Sequence, residues 1–271
     1  MPGRDLYGAF SGNYQQDPRE FDPRKCCRMH VDAYDGSAFS TANTVMRHAN
    51  FYRNVAAAAT ITHVNSYDER IGNFFRLTAA AATGGSRAWI AERVFAQQPA
   101  LTAGLAEMDF QAMVRMTGSY TGVGGSVGFQ AAHGQPGPLM YNQVGFECYE
   151  SGGNWVACSN VTGSTAEPAV SVRVDTGIKA SDWHALRVWV NKDATRAIWS
   201  IDDVVVRTEN DPMLLPSWTT MVARGNAFAD IVASQVGMAA AVRIRADDSV
   251  TNDADRVDVN WILYRYFREY A

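Results

Sequence analysis

The chain has 271 residues, enough for one large β domain or two smaller ones, and its 47% apolar and 19% charged content supplies a packed core and argues against general disorder. Lys and Arg number 24 against 28 Asp and Glu, a net charge of −4, which provides no large cationic field for nucleic acid or an anionic bilayer. The longest apolar stretches, residues 55–61 and 236–242, fall far short of the ~18 residues of a spanning helix, and the opening Met-Pro-Gly-Arg-Asp-Leu-Tyr lacks the apolar core of a secretion signal.

Residues 1–40 hold Gly, Tyr, Asp and Pro with few apolar repeats, so an extended arm is expected, ordered only where it lies on something else. Its apolar anchors are Tyr7, Phe10, Tyr14 and Phe21. Residues 41–71 form a connecting segment. Within it Val45, Met46, Ala49, Tyr52 and Val55 stand at helical spacing, so a short helix is expected over residues 41–60, capped by Thr41 or Asn43.

From about residue 61 the period drops to two. Met108, Phe110, Ala112, Val114 and Met116 alternate with Asp109, Gln111, Met113 and Arg115. Val127 and Phe129 follow a Gly-rich turn expected at residues 122–125. Strands at 144–149 and 154–158 are joined through Ser-Gly-Gly, and His184, Leu186, Val188 and Val190 alternate with Ala185, Arg187 and Trp189. Strands 197–201 and 204–208 flank Asp202-Asp203; a two-residue turn there pairs Trp199 with Val206 and Ile201 with Val204. In the last strand, 256–267, Val257, Val259, Trp261 and Leu263 are expected on one face, with Asp258, Asn260 and Ile262 on the other. Strands and turns without alternating helices indicate an all-β, antiparallel two-sheet sandwich over residues 72–271.

The four cysteines make no disulfide framework, and none has zinc-site spacing. Cys26 and Cys27 are adjacent. Cys148 and Cys158 flank a hairpin and would face one another if its loop centred on Gly153, where a disulfide is geometrically allowed; reduced, buried thiols are the plainer expectation.

Asp182-Trp183-His184-Ala185-Leu186-Arg187-Val188-Trp189-Val190, followed by Trp199-Ser200-Ile201-Asp202-Asp203-Val204-Val205-Val206, resembles a strand and hairpin shared by the concanavalin A-like lectins and glucanases and the laminin G-like domains. Asp203 stands where that hairpin has Gly, which opens the turn to another type. The resemblance runs over residues 72–267 and implies a jelly-roll sandwich. It is nearest to the versions in virion proteins of tailed bacteriophages, which carry extra terminal segments that wrap neighbouring subunits. What it implies is a non-enzymatic virion structural protein, made in the host cytoplasm. Its expected role is capsid decoration or cement, with capsid or tail proteins as partners and self-association into a homo-oligomer. The alternative is a glycan-binding module of a tail or fibre that recognises a host glycan. No membrane insertion, nucleic acid or cofactor is expected.

A third reading, a glucanase-like hydrolase, rests on Glu107-Met108-Asp109-Phe110-Gln111, which resembles the glucanase Glu-x-Asp-x-Glu motif. In that motif the last carboxyl is the general acid. Gln111 stands there, and an amide delivers no proton, so no catalytic residue is assigned. The five histidines, His30, His48, His63, His133 and His184, lie in separate segments, and no nucleophile elbow or phosphate loop is present. Residues 247–255 concentrate oxygen ligands, making Asp248, Asp253 and Asp255 weak calcium candidates, although a solvated acidic loop is the simpler reading. Sugar stacking needs exposed aromatics, and Trp155, Trp189 and Trp218 are the candidates. Asn160-Val161-Thr162 matches a glycosylation sequon and is expected to be silent.

Overall fold

The computed structural model describes residues 26–32, 51–56, 58–65, 71–80, 86–92, 106–118, 123–131, 142–149, 153–162, 168–216, 238–246 and 255–268. Fifteen strands run through them: β1 (Cys26–Asp32), β2 (Phe51–Ala56), β3 (Thr60–Val64), β4 (Phe74–Thr78), β5 (Arg87–Glu92), β6 (Ala106–Thr117), β7 (Val123–Ala131), β8 (Gln143–Cys148), β9 (Asn154–Thr162), β10 (Pro168–Lys179), β11 (His184–Val190), β12 (Ala197–Ile201), β13 (Val204–Glu209), β14 (Met238–Ala246) and β15 (Arg256–Arg268). One turn of 3-10 helix, Pro212–Leu214, follows β13. The first sheet has the order β13-β12-β11-β6-β15-β4-β3, with β1 also on β15; the second has β10-β9-β8-β7-β14-β5-β2. Every pairing is antiparallel. This is the expected jelly-roll sandwich.

The helix expected over residues 41–60 is not what forms in its described part. Phe51–Ala56 is β2, paired with β5, and Thr60–Val64 is β3, paired with β4. Phe51, Tyr52 and Val55 favour an extended backbone, and the alanine run turns at Ala58 (φ 60°). The sheets therefore take strands from upstream of residue 72. One of them, β1, comes from within the first forty residues and pairs with β15 from Cys26↔Phe267 to Asp32↔Trp261. Tyr7, Phe10, Tyr14 and Phe21 lie outside the described residues.

The core lies between the sheets. Phe129 of the second sheet meets Phe110 and Tyr264 of the first edge-on, at centroid distances of 6.0 and 5.7 Å. Trp199 in β12 donates from Nε1 to the Gly145 carbonyl of β8 at 2.8 Å, a polar tie across an otherwise apolar layer. Arg207 stacks over the Trp199 ring at 4.3 Å and donates to the Ala157 and Val172 carbonyls and to Ser159 Oγ. Its charge is matched by Glu209 at 3.1 Å.

Three registers and one turn depart from expectation. In the β12–β13 hairpin Ile201 pairs with Val204 as expected, but a bulge sets Trp199 opposite Arg207 instead of Val206, which brings the guanidinium under the indole. Both turn residues are left-handed, Asp202 at φ 50° and Asp203 at φ 65°, the type I′ combination with aspartate in glycine's place. In β15 the register shifts between Val259 and Trp261, so Ile262 and Tyr264 reach the core and Trp261 and Leu263 turn to the other face. Asn260, at the shift, donates to the Ile71 and Asn73 carbonyls at 3.0 and 2.6 Å. Finally, Gly124 and Gly125 lie within β7, paired with Arg245 and Ile244, and not in a turn.

The β8–β9 hairpin takes a different register from the one a loop centred on Gly153 gives. Gly145 pairs with Cys158 and Glu147 with Val156. Cys148 belongs to the core cluster, whereas Cys158 lies on the opposite face and donates to the Gly145 carbonyl at 3.4 Å. A three-residue shift in register is odd, so it sends the two sulfurs to different faces and excludes the hairpin disulfide. Both cysteines are free. Burial pushes the Cys148 thiol up to about 12 and raises that of Cys158 well above its ordinary value.

Candidate functional site

The alternation of β6 decides what the first sheet presents outward. With Met108, Phe110, Ala112, Val114 and Met116 committed to the core, Asp109, Gln111, Met113 and Arg115 take the other face. Strand β11 alternates in the same way. Leu186, Val188 and Val190 are buried, and Arg187 and Trp189 share the outward face with β6, paired with Gln111 and Asp109 respectively. On the far side, Arg265 of β15 pairs with Asp109, and Asp258 with Arg115.

Two arginine–aspartate–arginine trios result. Asp109 is buried; its Oδ1 accepts from Arg187 Nε at 2.9 Å, and its Oδ2 accepts from Arg187 Nη2 at 3.2 Å, from Arg265 Nη2, and from Gln111 Nε2 at 3.2 Å. Asp258, also buried, accepts from Arg76 Nε and Nη2 at 2.7 and 3.0 Å and from Arg115 Nε at 2.9 Å. A partly exposed indole stands beside each trio. Trp189 neighbours Asp109 across the β11–β6 ladder. Trp183 lies under the Arg115 guanidinium at 4.8 Å and edge-on to Phe74 at 5.5 Å.

A clip at the start of β11 fixes His184 and Ala185, next to Trp183. Asp202, in the β12–β13 turn, pairs with His184 Nδ1 at 2.6 Å and accepts from the Ala185 amide at 2.8 Å, while its own amide donates to the Ala185 carbonyl. The hydrogen bond to Asp202, followed by that residue's charge, raises the His184 pKa against the opposing effect of burial. Burial works to raise the Asp202 pKa, but the bonds from His184 and the Ala185 amide outweigh it and hold the carboxyl below its usual range.

The residues singled out from sequence separate in the structure. Glu107, Asp109 and Gln111 share the outward side of β6, but both Asp109 oxygens are engaged by guanidinium groups and Gln111 donates to the same carboxylate. Among the glycan candidates only Trp189 keeps the role open. Trp155 is fully buried in the core and presents no ring to solvent, because the β8–β9 register turns it inward; Trp218 lies outside the described residues. Asp255 is buried against Gly118, where its Oδ1 fills the space of a side chain; Asp248 and Asp253 lie outside the described residues. Among the described residues no three His, Cys, Asp or Glu side chains are placed to hold a metal ion. Asn160 of the sequon is buried and bonded to Gln143 and Ser171. Sequence reasoning missed Asp258, Arg265, Arg76 and Arg115 as partners; strict alternation would set Asp258 and Arg265 on opposite faces of β15, and the bulge brings them to the same one.

The β7–β10 part of the second sheet's outer face is different. Gln130, Gln143, Asn160 and Ser171 stand in one row across β7, β8, β9 and β10. Asn160 Nδ2 donates to Gln143 Oε1 at 3.3 Å, Ser171 Oγ to Asn160 Oδ1 at 2.7 Å, and Gln130 Nε2 to the Ala241 carbonyl at 2.9 Å. The adjoining row is small, Gly128, Gly145 and Cys158, with the buried Glu147 beyond it paired to Arg173 at 2.5 Å.

No protein-family model matches the chain, and no curated protein matches it. Solved structures do. A protein of unknown function from Shewanella oneidensis MR-1 superposes with a TM-score of 0.58 at 8% identity, over 91% of this chain and 89% of its own. The carbohydrate recognition domain of Emp47p gives 0.50 at 10% identity, over 91% and 98%. The fold is that of the concanavalin A-like sandwiches. An endo-1,3-β-glucanase from Streptomyces sioyaensis, at 0.46 and 12% identity over 90% and 97%, shares the outline more loosely. At these identities the likeness is one of fold, and fold alone assigns no activity.

Proposed function

We propose that the chain is a non-enzymatic carbohydrate-binding module whose binding surface is the outer face of the first sheet. The observation that carries this reading is the meeting of a partly exposed indole, Trp189, with Arg187, Asp109 and Gln111, whose polar groups are fixed by one another. A sugar ring offers an apolar face for the indole and hydroxyls for the polar groups around it. Catalysis is not part of the proposal. Glycoside hydrolysis needs a protonated carboxyl facing a second carboxylate, and Asp109 is bound by two guanidinium groups while Gln111 carries no acidic proton. The test is a glycan array followed by titration of the strongest hit. Binding should be lost in Trp189→Ala and partly restored in Trp189→Phe; retention in Trp189→Ala would reject this surface, and turnover of the bound glycan would reject the non-enzymatic reading.

A second reading concerns where such a module works. A bacteriophage virion protein that decorates or cements a capsid must present surfaces to its neighbours. Val204, Val205 and Met213 are exposed on and just beyond β13, the last strand of its sheet, which favours assembly through this edge. Native mass spectrometry is the direct check: a defined homo-oligomer lost on Val205→Lys supports assembly, and a monomer at all concentrations opposes self-association. The arm should be tested by removing residues 2–25 only, because a longer deletion takes β1 from the sheet.

A further inference from the structure

The outer face of the first sheet runs against the charge of the whole chain. On its strands the described side chains Arg76, Arg115, Arg187, Arg256 and Arg265 stand against Glu107, Asp109 and Asp258, an excess of two positive charges on a protein of net charge −4. The excess sits in two like stations. One is Trp189 with Arg187–Asp109–Arg265; the other is Trp183 with Arg115–Asp258–Arg76. Each carboxylate is buried and shared by two guanidinium groups, so each trio keeps one net positive charge. The outer arginines remain partly exposed, Arg187 at 32%, Arg115 at 28% and Arg76 at 24% of the side chain. Asp109 and Arg115 are six residues apart on one strand, so the stations lie about 20 Å apart along β6.

We infer that this face binds an extended acidic polysaccharide, with one carboxylate-bearing sugar at each station. This rests on the carbohydrate-binding reading above and adds the charge and length of the ligand. Each station pairs a flat indole with guanidinium donors, matching a uronate ring whose carboxylate projects from its edge. Two stations this far apart seat two rings of one polymer, with the rings between them facing solvent. Duplex DNA, with a phosphate charge per ~1.7 Å of axis, would set far more negative charge over ~20 Å than these two stations neutralise.

The experiment is a titration of the full chain with polygalacturonate, alginate and hyaluronan, each beside its carboxyl-esterified form, at low and high salt. At least one acid form should bind at least about tenfold more tightly than its ester, and added salt should weaken it. Affinity should step upward once oligosaccharides of increasing length reach about 20 Å and engage both stations. Arg115→Gln should weaken binding by about fivefold, because Asp258 keeps its two bonds to Arg76 and the sheet stays intact, as an unchanged melting temperature would verify. Equal binding of acid and ester, or binding of neutral glycans alone, overturns the inference and leaves the carbohydrate-binding reading standing. Tighter binding of single-stranded DNA or an acidic peptide than of any polysaccharide overturns it in favour of that partner. No carbohydrate binding of any kind overturns both.

Discussion

On the outer face of the first sheet, two buried aspartates are each held by two arginines. On the β7–β10 part of the second sheet's outer face, the buried polar groups are mostly amides and hydroxyls that bond to one another. The alternation that seals the core is the same in both, and the chemistry it exports is opposite. A neutral ladder such as Gln143–Asn160–Ser171 closes on itself; it fixes register and asks nothing of a ligand. Two guanidinium groups on one carboxylate satisfy the buried charge and still leave positive charge at the surface. The β7–β10 part of the second sheet is therefore read as scaffold and the first sheet as the recognition surface.

The largest effect should come from the centre of the first face. Asp109→Ala leaves the buried Arg265 without its carboxylate and should cost about 3–5 kcal/mol, measured by denaturant unfolding. The same change at Asp258 should cost less, because both its arginines reach solvent. Equal losses would remove the distinction between the trios.

On the second face, Gly145→Ala would place a methyl group 2.2 Å from the Val127 carbonyl and should cost about 3 kcal/mol. Asn160→Ala breaks the ladder and strands the buried Gln143 Oε1, while the exposed Ser171 hydroxyl turns to water, for about 1–2 kcal/mol by the same assay. Neither change should alter glycan affinity. A loss of binding in the folded Asn160→Ala protein would move the site to the second sheet.

The smallest effect is one of pH. The raised His184 pKa means the folded state holds this proton more tightly than the unfolded chain. Its contribution is full below the ordinary imidazole value of 6.5 and is lost as pH rises through the raised value. Asp202 is lowered, so its contribution is present above its ordinary 3.8 and is lost as pH falls through the folded value. Melting temperature should thus decline modestly from mildly acidic to alkaline pH, and His184→Asn should flatten that decline. An unchanged slope would show that the clip does not stabilise the Trp183 end of the face.

Much of the first face was legible in the sequence, because β6 and β11 alternate without a break. Their periodicity alone sets Asp109, Gln111, Arg187 and Trp189 outward. The partners on β15 were hidden by one inserted residue near Asn260, since an amide that bonds two backbone carbonyls of a distant segment leaves no local pattern. The register of β8–β9 was misjudged for a related reason. Where Gly145 must pass close to the Val127 backbone, tertiary fit sets the hairpin, and the Ser-Gly-Gly loop only follows. Residues 41–60 misled because a short apolar run with interspersed alanines fits a helix and a strand alike. In β10, Val170, Val172 and Val174 do alternate, a weak signal that becomes informative only once Asn160 and Ser171 are seen to pair.

The central claim is that Trp189 and the arginines around it form a carbohydrate-binding surface. Its most direct test is titration of the best array-selected glycan against the native chain and Trp189→Ala, with thermal melts of both. If the surface is correctly placed, the native chain binds and the variant does not, while both unfold within a few degrees of each other. Undiminished binding by the variant, or the absence of any glycan that binds the native chain, would contradict it.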